Sequence, residues 1–198
     1  MRRRGTVALA ALALLGDLAC GVAAEPLPAC EWCGAGEAPA APGWDVRIAA
    51  PEEPGEALVL SGTVFVADGR SPAPGVILYL YHTNAGGIYP KRGDETGNGR
   101  RHGYLRGWLR TDERGRYRFT TIRPGSYPGG TEPAHIHVVV KEPGKDETYL
   151  DDFNFEDDPL VTPAYRARLR RRGGSGTIAL ERDAAGRWFG RRDLVLPR

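Results

Sequence analysis

The chain has 198 residues, 41% hydrophobic and 26% charged, with a formal net charge of +2. That suits one domain with a real core, and charge so nearly balanced gives no basis for binding nucleic acid or a membrane surface. Counts of 27 Gly and 16 Pro favour a turn-rich β protein over a helical bundle.

Residues 1–24 read as a secretory signal. Arg2, Arg3 and Arg4 form a positive head, and the apolar run 6–15 is too short to span a bilayer. Val22-Ala23-Ala24 supplies small residues before a cleavage ahead of Glu25. Lipidation at Cys20 is the competing reading, but Asp17 stands where a lipobox wants leucine. The mature chain is expected to be exported, periplasmic or extracellular, with no transmembrane segment once the signal is removed. In an oxidising compartment Cys30-Glu31-Trp32-Cys33 is expected to close a local disulfide. A thioredoxin-like site would need a βαβ context that is not visible, and a zinc site would have to recruit distant histidines. Stretch 34–54, rich in Ala, Pro, Gly and Glu, reads as an irregular lead-in. The expected organisation is signal 1–24, Cys-containing extension 25–56 and folded domain 57–198.

Within that domain, 58–66 has strand composition and ends at Asp68-Gly69-Arg70. In 76–82, Val76, Leu78 and Leu80 alternate with Ile77, Tyr79 and Tyr81, as in a strand buried on both faces. Residues 83–102 make a long Gly- and Asn-rich loop, a length that commonly carries function. Segments 104–111 and 117–122 are expected to form a hairpin around Asp112-Glu113-Arg114-Gly115. Then come a strand over 135–140, a mixed segment 149–155, a short basic helix over 163–172, and closing strands 177–180 and 193–196. The expected fold is all-β, an antiparallel β-sandwich with long active-site loops and at most a short helix.

The densest cluster of chemistry is Tyr127, His135 and His137, between a Pro-Gly turn cluster and a β-branched run. On a strand, i and i+2 share a face, so both imidazoles project together while Ile136 points away. Two parallel imidazoles can bind one metal ion, with an upstream tyrosine returned by the turn as a third ligand. The plainer reading is two histidines adjacent by chance on a half-polar sheet. Tyr89, in Gly86-Gly87-Ile88-Tyr89-Pro90, taken alone reads as a ring packed at a rim.

Four blocks in order, LYHTNAGGIYP, LRGWLRTDERGRYRFTTIRPGSYP, PAHIHV and FEDDP, resemble the intradiol ring-cleavage dioxygenases, the protocatechuate 3,4- and catechol 1,2-dioxygenase group. The resemblance spans about Leu60 to Pro159 and looks like the secreted members. It implies one non-haem Fe(III) per chain, held by Tyr89, Tyr127, His135 and His137, with a small aromatic diol and O2 as substrates. Two phenolates and a hydroxide would neutralise the ion, so no net charge is buried. Tyr127 matches the ligand that a catechol dianion displaces.

Two departures stand out. Glu132 replaces an arginine that stabilises the activated substrate, and Asp152 stands where a glutamine is expected. A reversed charge in a low-dielectric site is worth kilocalories. Arg123 and Arg106 are the candidate replacement cations, so Tyr127, Glu132, Asp152 and Arg123 form the expected catalytic group. Two alternatives are a non-catalytic binding module of the same β-sandwich fold and a zinc or copper site on the histidines. The oligomeric state is left open.

Overall fold

The computed structural model describes residues 26–198; the signal, its cleavage point and Cys20 lie outside the described residues. Two mixed sheets face each other. The first runs β1(Asp45–Arg47)–β5(Arg116–Ile122)–β2(Ala57–Phe65)–β11(Trp188–Arg191)–β10(Leu180–Arg182), with β12(Leu194–Val195) also on β2. The second runs β4(Arg106–Arg110)–β3(Ile77–His82)–β6(His135–Lys141)–β8(Phe153–Phe155)–β9(Thr177–Ile178), with β7(Glu147–Tyr149) also on β6. Helix is confined to a 3-10 turn, Ala35–Glu37, and to α1(Gly99–His102) and α2(Pro163–Arg168). Among the described residues no helix is long and apolar enough to cross a membrane.

Alternation decides what each strand buries. Leu58, Leu60 and Val64 of β2 and Tyr117 and Phe119 of β5 meet Leu78, Leu80, Ile136, Val138 and Val140 of β3 and β6 in one shared core. The odd-numbered residues of β3 and β6 point the other way. There Ile77, Tyr79, Tyr81 and Val139 form a second apolar cluster with Ala35, against which Trp32, Tyr89, Trp108 and Tyr149 pack. β3 is buried at all six positions, as its two-sided pattern predicts.

The expected antiparallel pairing holds for the long central strands, β2 with β5 and β3 with β4 and β6. The pairs β1–β5, β11–β2, β12–β2 and β8–β9 are parallel, so the sheets are mixed. The expected hairpin across Asp112-Glu113-Arg114-Gly115 does not form: β4 belongs to one sheet and β5 to the other. Leu109, Tyr117 and Phe119 all point into the shared core, and facing sheets meet that demand without pairing. The basic helix stops at Arg168, earlier than expected; Thr162 caps it, its Oγ1 accepting from the Tyr165 N–H at 3.1 Å.

The stretch read as an irregular lead-in lies along the sandwich as a strap. β1 pairs with β5, and the N–H groups of Gly34, Ala35 and Gly36 all donate to the Glu147 carboxylate at 2.8, 2.9 and 2.8 Å. Cys30 and Cys33 are joined to each other, which leaves no thiolate for a zinc site among the described residues.

Candidate metal centre

β6 sets the base of the site. His135 and His137 share the face of Val139, while Ile136 and Val138 enter the core. Two loops bring the phenols: Tyr89 follows β3, and Tyr127 follows β5. They can touch because both carry glycine at the crossing. At Gly87 (φ 79°) an added Cβ would fall on the Ser126 carbonyl, and at Gly125 on that of Ala85.

Four heteroatoms converge. The Tyr89 hydroxyl lies 2.5 Å from the Tyr127 hydroxyl and 2.7 Å from His137 Nε2. Tyr127 is 3.2 Å from His135 Nε2 and 3.1 Å from His137 Nε2, and the two Nε2 atoms are 3.2 Å apart. Each Nδ1 is engaged elsewhere. His135 Nδ1 donates to the Pro133 carbonyl at 2.7 Å, and His137 Nδ1 faces Asp152 Oδ1 at 3.0 Å. In the neutral imidazoles both Nε2 atoms therefore present lone pairs inward. Two phenol oxygens and two inward imidazole nitrogens in mutual contact make a compact set of ligand atoms. Oxygen and imidazole donors of this kind suit iron.

Burial, then the neighbouring Tyr127, pushes the Tyr89 phenol well above the usual tyrosine value. Burial also raises Tyr127, with Asp152 and Glu132 adding to it and the Tyr89 hydrogen bond opposing. Burial lowers His135, helped by His137. Without a cation the phenols thus keep their protons, and burial holds the His135 imidazole toward its neutral form.

The remaining expected site residues fall elsewhere. Asp152 lies one position before β8, continuing its register onto His137, with its carboxylate on Nδ1 rather than on the converging atoms. It could complete a His135–His137–Asp152 metal trio, but its Oδ1 also accepts from the Tyr149 hydroxyl at 2.5 Å. The inward Nε2 pair favours the phenol side. Arg123 forks onto Asp157 at 2.8 Å through two nitrogens and lies over Phe155 and Trp188. Arg106 is engaged with Glu37 at 3.2 Å and lies over Trp108. Glu132 is exposed on the Tyr127 loop, with no hydrogen bond or ion pair among the described residues.

Tyr149, Tyr81 and His102 were not singled out from the sequence. Tyr149 contacts His137 Nδ1 at 2.6 Å. Tyr81, directly opposite His137 in the β3–β6 register, stacks on it at 4.3 Å and on His102 at 3.6 Å. His102 Nε2 donates to the Glu31 carbonyl at 2.7 Å and Nδ1 accepts from Tyr79. Trp32 meets Tyr149 edge-on. The disulfide loop therefore reaches the outer layer of the site and is more than a local staple. The shared odd-numbered face of β3 and β6 was the available signal for Tyr81.

A sandwich with this cluster on its second face is the architecture of a ring-cleavage dioxygenase. A family model described as Dioxygenase matches residues 37–172, and the chain belongs to that family, the intradiol dioxygenases. It is 32% identical over 127 residues to catechol 1,2-dioxygenase 1 of Acinetobacter lwoffii, covering 56% of this chain and 40% of that protein. It is 32% identical over 113 residues to the protocatechuate 3,4-dioxygenase beta chain of Burkholderia cepacia, covering 54% and 48%. The chain thus spans half or less of the length of these curated relatives. Among solved structures it is similar to the dioxygenase domain of a dioxygenase carbohydrate-binding protein fusion from Streptomyces sp. SirexAA-E. That match has TM-score 0.57 and 28% identity, covering 80% of this chain and 90% of the other. It is also similar to catechol 1,2-dioxygenase from Acinetobacter sp. ADP1, with TM-score 0.60 and 26% identity, covering 80% and 59%.

Proposed function

We propose that this chain is an exported non-haem Fe(III) dioxygenase that cleaves a catechol-type ring between its two hydroxylated carbons, using O2. Tyr89, Tyr127, His135 and His137 would hold one ferric ion per chain. The observation that supports this reading is the convergence of two phenols and two inward Nε2 atoms, in a member of the intradiol family. The head Arg2–Arg3–Arg4 and apolar run 6–15 support export.

A ferric ion bound there supplies Lewis acidity that makes phenols and a bound diol ionise near neutral pH. The chain's own residues do the rest. His135 and His137 present fixed lone pairs from a rigid strand. Tyr127 touches all three other donors and sits on a loop that continues through Gly129 and Gly130, both at positive φ, so of the residues that would hold the ion it would be the one best placed to give way to a diol and take up its proton. Glu132, on the same loop and unpaired, repels a diol dianion and slows turnover of simple catechols.

Purified protein is expected to carry one iron per chain and a visible phenolate-to-iron band, which zinc would not give. His135→Ala or His137→Ala should abolish both, while Tyr127→Phe should keep part of the iron with a shifted band. Full iron in both histidine variants would sink the assignment. Glu132→Arg should raise turnover of simple catechols about tenfold, one charge contact being worth about 1.4 kcal/mol or more. Rapid turnover in the wild type, slowed by Glu132→Arg, would reverse the reading of Glu132.

A further inference from the structure

We infer that Asp152, with Tyr149, is the positioning residue that fixes the tautomer of His137 and so aims its Nε2 lone pair at Tyr89 and Tyr127. The inference rests on the reading of that cluster as a ligand set and extends it to the layer behind.

The two histidines are aimed by different means. His135 is fixed by main chain, because the Pro133 carbonyl can only accept, so Nδ1 carries the proton. His137 has no carbonyl partner. Its Nδ1 meets Asp152 Oδ1 at 3.0 Å and the Tyr149 oxygen at 2.6 Å. Tyr149 donates its own proton to Asp152 Oδ1 at 2.5 Å. One arrangement satisfies every atom: Nδ1–H donates to Asp152 and Tyr149, and Tyr149 O–H donates to Asp152. Nε2 is then left bare and accepts from Tyr89 at 2.7 Å. The opposite tautomer would aim a lone pair at a carboxylate and a proton at the other imidazole.

The support continues outward. Tyr149 lies diagonally from His137, opposite Val139 in the β6–β7 register, and Trp32 packs against its ring. The bend carrying Asp152 is held from below by buried Arg192, which donates to the Asp151 and Asp152 carbonyls at 2.9 and 2.8 Å. Carboxylate partners of this kind set the orientation and basicity of ligating imidazoles, and removing one weakens metal binding about 10–100-fold.

The test is made on the full chain, 15N-labelled, stripped of metal with a chelator and checked for fold by circular dichroism. Two-bond 15N–1H correlations at pH 8 should show His137 protonated at Nδ1 and bare at Nε2. Asp152→Ala should turn this into a mixture, and Tyr149→Phe should shift it less. In parallel, Asp152→Ala should raise the Kd for Fe(III) about 10–100-fold at unchanged stoichiometry. The inference is overturned if wild-type His137 carries its proton on Nε2, or if Asp152→Ala leaves both tautomer and iron affinity unchanged. Should Asp152→Ala not fold, the wild-type tautomer and Tyr149→Phe still decide. A wild type with the stated tautomer that binds no iron would sink the ligand assignment but leave the role of Asp152 standing.

Discussion

The two sheets share one core but treat their outer faces differently. On the first sheet that face is open to water and finished with ion pairs and rings under arginines: Arg118 with Asp45, Arg182 with Glu56, Arg116 over Trp44 and Arg182 over Trp188. On the second, the same strand geometry presents Tyr79, Tyr81, His135 and His137, and the strap with loop 83–103 covers them. A face covered by packed aromatics excludes water from polar atoms and strengthens every charge interaction among them. The candidate chemistry therefore sits on the covered outer face, not in the core or at the open face.

The comparison breaks most sharply at Tyr79. Its ring is fully buried outside the shared core, stacked on Trp108 and bonded to His102. Tyr79→Ala should cost about 3–5 kcal/mol in urea unfolding, as deletion from a core does. A loss below about 1 kcal/mol would mean that the covered face is not a second core.

Acid sharpens it next. Burial pushes His82 down to about 4, against its hydrogen bond to the Thr83 carbonyl and with His137 and His135 adding to the fall. His102 is lowered to about 4, again chiefly by burial. Both folded pKa values lie below the unfolded value of 6.5, so the unfolded chain takes up protons first. Their contribution is intact above pH 6.5 and is lost as pH falls toward 4. Each group adds up to about 1.4 kcal/mol of loss per pH unit. Unfolding free energy measured from pH 7 to 5 should fall, and His82→Gln should remove part of the slope, with His102 and His135, also lowered by burial, carrying the rest. A flat profile would contradict the burial of both rings.

The smallest effects separate the faces directly. Glu147→Gln weakens three backbone hydrogen bonds that hold the strap and should cost about 1–2 kcal/mol. Arg118→Ala removes a half-exposed ion pair on the open face and should cost less than about 1 kcal/mol. Equal costs in thermal or urea unfolding would erase the distinction between a covered face and an open one.

Much of this was legible in the residues. The period-2 runs of β2, β3 and β6 located the strands, and His135-x-His137 located one face of the site, because alternation is a local property. Tyr127 was marked by its nearness to the histidines across a Pro-Gly turn, whereas the phenol of Tyr89 became a ligand candidate only through resemblance, since glycine loops leave no periodic trace. β1 and β11 were missed for the same reason: three or four residues, one run following an Ala- and Pro-rich stretch and the other containing Gly190, are too short to show a period. The false hairpin shows the limit of turn signals. Asp112-Gly115 specifies a reversal, but whether the returning strand pairs or crosses to the facing sheet depends on where Leu109 and Phe119 must be buried. Asp152 was placed in the catalytic group with no partner named, because its contact with His137 depends on a register that the sequence does not state.

The strap has one further consequence, for timing. Its N–H groups bind a carboxylate 111 to 113 residues later in the chain, and its Glu31 carbonyl meets a histidine 71 residues on. Synthesised early, it cannot dock until Glu147 has emerged and β6 and β7 have paired, and closing so long a loop is slow. The outer wall of the second sheet is therefore the part of the fold that depends most on contacts distant in sequence.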